Sequence, residues 1–214
     1  LIIRAARQYQ VKALGITLSQ EQYQKTKERI GEAGLEHLVE VELLDYRQLA
    51  DSGRTFDKVA SVGMLEHVGK ANLGRFMAAV GSLLQPGGLA LVHSITKMTE
   101  GSINSWIEKY IFPGGYVPSL RELVWLLPEH GFHPLDIESL RMHYVMTLDH
   151  WAENFERHVD QVRRERGERL VRIWRLYLRS CAESFRNTGL DVYQILFSKG
   201  LNNNLPLTRE HLYQ

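Results

Sequence analysis

Apolar and polar positions follow two rhythms along the first 95 residues, and together they predict alternating strands and helices. Leu1 to Tyr9 reads as a short amphipathic helix and Val11 to Ile16 as a β-rich run. Ser19 follows, with Gln22 three residues on, the spacing of a capping box. The helix it starts ends near Gly34, a residue suited to the C′ position. Val39 to Leu44 is the next strand, with Asp45 and Tyr46 at its end. Phe56 to Val62 is another, followed by Glu66. Asn72 is placed to cap a helix to Leu84, which Pro86-Gly87-Gly88 stops ahead of the strand Leu89 to Ile95. This alternation predicts a parallel α/β sheet with helices on both faces.

After Ile95 the rhythm changes. Residues 97–118 hold Trp106, Tyr110, Phe112, Pro113, Gly114, Gly115, Tyr116 and Pro118. The segment is too aromatic for a solvent loop and too irregular for one long helix, so it reads as a cap over the strand ends. Ser119 caps a helix to about Glu129. Leu135 to Leu140 is a strand, and Thr147 to Phe155 and Arg163 to Phe185 are helices. Val192 to Ser198 is a final strand, expected antiparallel beside Leu135 to Leu140. Residues 201–214 have little periodicity.

The chain's 214 residues suffice for one domain with a full core. Hydrophobic content of 44% and charged content of 24% are ordinary for a globular protein. A net charge of +1 creates no field that favours nucleic acid. Cys181 is the single cysteine, which excludes an internal disulfide framework and fits a reducing compartment. No apolar run approaches the roughly 18 residues of a membrane span, and no secretory signal is visible. The opening LIIRAARQYQ has no initiator Met and reads as the middle of a helix, so the true start is expected upstream.

In open parallel sheets, ligands sit outside the carboxyl ends of the strands. Four strand ends here carry polar groups: Thr17 with Ser19, Asp45, Glu66, and His93. Each alone reads first as a surface residue or a cap, and His93, inside an apolar strand, has the alternative of a hydrogen-bonded core histidine. Ser19 is a helix cap whatever else it does. Together, Glu66 and His93 form a candidate acid/base pair, which makes an enzyme the leading reading. His67 is adjacent to Glu66 and points differently. No glycine-rich phosphate loop, zinc-ligand spacing or nucleophile elbow is present. The stretch Arg157 to Arg179 is dense in arginine, with Leu170, Ile173, Trp174 and Tyr177 at helical spacing. It reads as an ordinary solvated helix with an apolar stripe, or as a face lying on anionic lipid.

The blocks GITLSQEQ (15–22), LLDYRQL (43–49), SVGMLEHVG (61–69), LVHSI (91–95), WIEKYIFPGGYVPS (106–119), HYVMTLDHW (143–151) and FRNTGLDVYQILFSKG (185–200) span nearly the whole chain. In these blocks the chain resembles the cyclopropane-fatty-acyl-phospholipid synthase family of S-adenosylmethionine-dependent methyltransferases. The resemblance implies a Rossmann-like class I methyltransferase sheet, mostly parallel with a final antiparallel strand. It implies a catalytic domain over residues 1–200, with cap segments at 97–118 and 145–187 and a tail at 201–214. Thr17, Leu18, Ser19 and Gln22 would border the ribose and methionine of the cofactor. Asp45 and Tyr46 would flank the adenine, and Val62 and Gly63 would line the wall beside the sulfonium. Glu66, His93 and Tyr144 would hold a bicarbonate ion as general base, with the Ile95 backbone as a further contact. Trp106, Tyr110, Phe112 and Tyr116 would line the acyl-chain entrance.

The implied reaction is methyl transfer to a cis double bond of a phospholipid acyl chain, closing a cyclopropane ring. The implied setting is cytoplasmic, peripheral to the inner face of the membrane, with a homodimer left open and no nucleic acid partner. Relatives that methylate other lipids or small amines are the alternative. The family's first, central strand, its glycine-rich cofactor loop and an upstream active-site cysteine would precede Leu1, and Cys181 is misplaced to substitute. The 214 residues alone are therefore expected to be poorly folded and inactive.

Overall fold

The computed structural model describes residues 1–212. The chain divides into two compact units, one of residues 1–54 and one from Thr55 onward.

The first unit contains helix α1 (Ile2–Tyr9), strand β1 (Ala13–Thr17), helix α2 (Gln20–Glu32), strand β2 (Val39–Leu43) and helix α3 (Tyr46–Asp51). β1 and β2 are parallel, with Ala13 opposite Val39 and Thr17 opposite Leu43. A parallel pair needs a crossover, and α2 supplies it. Ala6, Ile30, Leu35 and Val39 form the unit's core, with Ile2, Ile3, Leu38 and Val41 packed around them.

The capping box expected at Ser19 is only half formed. Ser19 Oγ accepts from the Gln22 N–H at 3.2 Å. The Gln22 side chain turns instead to Thr17, whose hydroxyl donates to it at 2.8 Å. The reciprocal bond is not needed, because the Ser19 N–H already donates to Thr17 Oγ1 at 3.1 Å. Gly34 takes a φ of 63°, as a C′ residue should. Helix α3 was not anticipated; Asp45 starts it with a complete capping box to Gln48.

The second unit contains strand β3 (Phe56–Val62), a 3₁₀ turn at Leu65–His67, helix α4 (Leu73–Leu83), strand β4 (Leu84–Lys97), helices α5 (Ser105–Tyr110) and α6 (Leu120–Glu129), and strand β5 (Phe132–Ser139). Helices α7 (Arg141–Arg157), α8 (Val159–Arg166) and α9 (Glu168–Asn187) and strand β6 (Leu190–Lys199) follow. The sheet order is β3-β4-β6-β5. β3 and β4 are parallel, and β6 runs antiparallel to both β4 and β5. The final strand is therefore antiparallel, as expected, and lies between its neighbours rather than at an edge.

Several boundaries differ from the sequence reading for local reasons. Pro86-Gly87-Gly88 does not stop a helix short of a strand; it sits inside β4, where the register slips opposite Phe56–Lys58. A Cβ on Gly88 would come within 2.9 Å of the Gln85 carbonyl oxygen and 3.0 Å of that of Asp57, so only glycine permits this close approach. Asn72 does not cap α4 through its side chain, which donates to the Val68 carbonyl at 2.9 Å. α7 begins six residues before Thr147. No side chain caps it, and its start follows from the Leu140 N–H bonding to the Val192 carbonyl at 2.7 Å. The long arginine-rich helix is two helices, broken at Gly167 with φ 83°.

Phe76, Met77, Val92, Leu123, Leu127, Ile195 and Phe197 are among the fully buried side chains of this unit. A second cluster, Val145, Leu148, Ala152, Leu178, Ala182, Phe185 and Val192, packs α7 and α9 onto β6. Ser119 starts α6 with a complete capping box to Glu122. Among the described residues, no helix is long and apolar enough to cross a membrane, and no His, Cys, Asp and Glu group could hold a metal ion.

Candidate active site

β3 ends opposite His93, while β4 continues to Lys97. Beyond that point β4 has outrun its neighbour, and the amide of Ile95 is open to another acceptor. Glu66 takes it: Oε1 accepts from the Ile95 N–H at 2.6 Å. The turn that brings Glu66 there begins at Gly63, whose φ of 62° favours glycine and whose N–H donates to the His93 carbonyl at 2.9 Å. Leu65, fully buried, anchors the turn from below. The Tyr116 N–H donates to the Glu66 carbonyl at 2.9 Å, tying the cap segment to the same turn. Glu66 Oε2 is buried and has no hydrogen-bond partner. Its cost makes it the site's most informative atom, because a buried acceptor left unmade costs about 1–3 kcal/mol. The Ile95 amide, read as an anion contact, is spent on Glu66 in this structure.

His93 lies on β4, with Nδ1 3.4 Å from Gln194 Nε2 on β6. Burial pushes the imidazole pKa below its usual value, and the nearby Glu66 charge only partly opposes this. Tyr144 comes from α7 rather than from a strand end. Its ring lies edge-on to Phe185 at 4.9 Å and to Trp151 at 6.2 Å. Burial raises its pKa first, and Glu66 and Cys181 add to the rise. The Glu66 charge bears on the titration of both His93 and Tyr144.

A pH dependence follows. The folded state disfavours charged His93, so below the ordinary histidine value of 6.5 the unfolded chain binds more protons. The stability His93 contributes should fall as pH drops through that value and level off below its own lowered pKa. Urea midpoints of the wild type and His93→Gln, compared from about pH 8 to about pH 5, should show the wild type losing ground at the acid end. A constant difference would contradict the assignment.

The aromatic expectations divide. Trp106 and Tyr110 pair at 5.5 Å on α5. Phe112 meets His67 at 5.6 Å and Tyr177 at 6.0 Å, both edge-on. From Tyr177 the row continues to Trp174 at 5.6 Å and on to Phe155 at 6.4 Å. Tyr177, Trp174 and Phe155 were not singled out as site residues, although the spacing of 174 and 177 on one helix was the available signal. Tyr116 sits elsewhere, with its hydroxyl donating to Glu122 at 2.7 and 2.9 Å and its ring between Lys70 and Lys97. Burial and the Glu122 bond push its pKa up to about 12. Cys181 packs partly buried against the α7–α9 cluster, and burial pushes its thiol up to about 11, so it is no ready nucleophile.

In the first unit, Thr17, Ser19 and Gln22 form one hydrogen-bonded group at the end of β1, joined by Glu21, which accepts from Ser19 Oγ at 2.8 Å. Leu18, which lies between Thr17 and Ser19 in the chain, is 73% exposed. Asp45 is gripped by Arg47 through Nε at 2.8 Å and Nη2 at 2.6 Å, and the Arg47 guanidinium lies 5.8 Å from the Tyr46 ring centre. In the second unit, Val62 is exposed, and nothing lies within 4 Å of where a Cβ of Gly63 would sit.

A "Probable fatty acid methyltransferase" of Pseudomonas putida is 41% identical over 98% of this chain and 55% of its own length. The "Cyclopropane-fatty-acyl-phospholipid synthase" of Escherichia coli K12 is 37% identical over 95% of this chain and 52% of its own. The chain thus spans about half the length of these relatives. Among solved structures, mycolic acid cyclopropane synthase CmaA1 complexed with SAH and CTAB superposes with a TM-score of 0.84. That match has 27% identity and covers 92% of this chain and 73% of that one. Residues 1–195 match the mycolic acid cyclopropane synthetase family, and the chain belongs to that family.

Proposed function

We propose that the complete protein transfers the methyl group of S-adenosylmethionine to the cis double bond of an unsaturated phospholipid acyl chain and closes a cyclopropane ring. The carrying observation is the buried, unpartnered Glu66 Oε2, on a carboxylate whose charge bears on His93 and Tyr144. A small oxyanion that still bears a hydroxyl fits this set: Glu66 accepts a hydrogen bond from the hydroxyl, while His93 and Tyr144 donate to the other oxygens. Bicarbonate is such an ion. When bound, the cofactor supplies an electrophilic methyl and bicarbonate a base. The relatives named for cyclopropane synthesis, and the SAH bound by CmaA1, support the same reading.

The chain's own residues have separable tasks. Thr17, Ser19 and Gln22 offer hydroxyl and amide groups to the ribose and methionine end, with Leu18 beside them. Asp45 and Tyr46 flank the adenine. The open space at Gly63, with Val62, receives the sulfonium side. Trp106, Tyr110 and Phe112 line the acyl entrance, the row through Phe112 and Tyr177 extends that apolar wall, and Tyr116, held by Glu122, ties the segment down behind it. Aromatic faces attract a developing carbocation, and an apolar cap keeps out water that would capture it. The experiment is a competition: full-length enzyme, methyl-labelled cofactor, unsaturated phospholipid vesicles and a panel of small amines. Label in the acyl chains is expected; label in an amine would overturn the reading.

The lipid reading gains support from α9. Arg169, Arg172, Leu176 and Arg179 fall on one exposed helix face, with Leu176 53% exposed among the arginines. Arg175 is clamped to Glu156 at 2.7 and 2.8 Å, and the two line an open cavity of about 580 Å³ with Arg172, Leu176 and Arg179. A basic face with an apolar centre suits peripheral binding to an anionic bilayer, at about 1 kcal/mol per arginine. Removing two arginines in R172A/R179A should weaken cosedimentation with anionic vesicles by about 2 kcal/mol, roughly thirtyfold. Unchanged binding would mark the face as merely solvated.

A further inference from the structure

We propose that Gln194 is a positioning residue that fixes the tautomer of His93, holding the ring proton on Nε2. The inference rests on the oxyanion site proposed above, but its first test reads the ring itself rather than turnover. Gln194 and His93 are direct partners across β4 and β6, and on its other side Gln194 faces Glu138 of β5. β6 is therefore held by a ladder on each edge, and the Gln194 backbone has little freedom. Strand alternation places His93 and Gln194 on the sheet face shared by Ile95 and Val192, the face that packs against α7 and α9.

Within that face Gln194 Nε2 lies 3.4 Å from His93 Nδ1. A carboxamide nitrogen only donates, so Nδ1 must present its lone pair. In a neutral imidazole the proton then resides on Nε2, on the flank of the ring away from Gln194. Burial lowers the pKa of the ring and so favours its neutral form, and the Glu66 charge opposes this.

The consequence is a division of labour. An Nε2–H donor and the unpartnered Glu66 Oε2 acceptor together call for a ligand that both accepts and donates. With the other tautomer, Nε2 and Oε2 would both be acceptors, and an oxyanion between them would be repelled. Gln194 thus selects a protonated oxyanion without touching it. A polar side chain in the otherwise apolar run VYQILF, residues 192–197, gains a reason to be there.

The test is long-range ¹H–¹⁵N correlation on full-length protein labelled at histidine nitrogen. His93 should show a pyrrole-type Nε2 and a pyridine-type Nδ1 in the wild type. Gln194→Glu, whose carboxylate accepts, should move the proton to Nδ1. It should lower turnover about 10–100-fold, the range seen when the partner orienting a metal-bound histidine is lost, with the melting temperature and cofactor KM near wild type. A proton on Nδ1 in the wild type, or an unmoved tautomer in Gln194→Glu, overturns the proposal. If that variant fails to fold, the wild-type spectrum alone decides. A corrected tautomer with unimpaired variant turnover would leave the structural role of Gln194 but overturn the chemical one. Loss of lipid methylation with the predicted tautomer intact would instead count against the oxyanion reading.

Discussion

Glu66→Gln lowers turnover of the complete enzyme by about 10²–10⁴-fold, the usual cost of misplacing a base, and leaves cofactor affinity near wild type. The geometry makes the substitution informative. One carboxylate oxygen is committed to the Ile95 N–H at 2.6 Å, and glutamine can keep that bond with its carbonyl oxygen. The amide NH₂ then occupies the place of Oε2, the buried atom that has no partner. A donor replaces the acceptor on which the proposed ligand's hydroxyl depends. The turn, its Gly63 entry and the Tyr116 bond to the Glu66 carbonyl are untouched, so a folding defect is not expected. Single-turnover rates and cofactor titration on the same preparation separate the two effects. Near-normal turnover with weak cofactor binding would move Glu66 into the cofactor site.

Phe197→Ala costs the second unit about 3–5 kcal/mol, the range for emptying a phenylalanine-sized space. Phe197 is 0% exposed and meets Phe132 at a tilted angle with ring centres 4.7 Å apart. It pairs with Ala90 on β4 and Pro134 on β5, so its side chain stands where three strands meet. Alanine and proline are too short to fill the gap, and strands held by ladders on both sides cannot close in. Net stabilities are only about 5–15 kcal/mol, so the variant should be marginal. At about 2–4 °C per kcal/mol, the melting temperature should fall by roughly 6–20 °C. Thermal and urea melts measure this directly. A loss under about 1 kcal/mol would mean that the sheet relaxes into the space.

What the sequence revealed followed from how local each signal is. β3 is bounded as its alternation and flanking residues predict, from Phe56 to Val62. α6 carries its own start signal in Ser119 and Glu122. α3 carried one too, Asp45 with Gln48, but six residues are too few for periodicity to register. The start of α7 was illegible because no cap marks it; a backbone bond from Leu140 to Val192, fifty residues away, does. Pro86-Gly87-Gly88 misled because the same residues stop a helix or make a bulge, and only the β3 partner decides which. In the site, Glu66 and His93 were legible as polar ends of apolar runs. The Ile95 amide, Gln194 and the Tyr177 row were not, since each depends on register or packing between distant segments. Tyr144 and the cofactor roles proposed for the first unit came from family resemblance rather than from pattern.

The account's central claim is that one site transfers a methyl group to a lipid double bond and removes a proton from it. Full-length enzyme given cofactor with a fully deuterated methyl group and unsaturated phospholipid vesicles tests both halves in one mass spectrum of the acyl chains. The account predicts lipid that has gained the labelled carbon and lost one of its deuterons, as ring closure demands. Lipid that keeps every deuteron, or an acyl fraction without label, would contradict it.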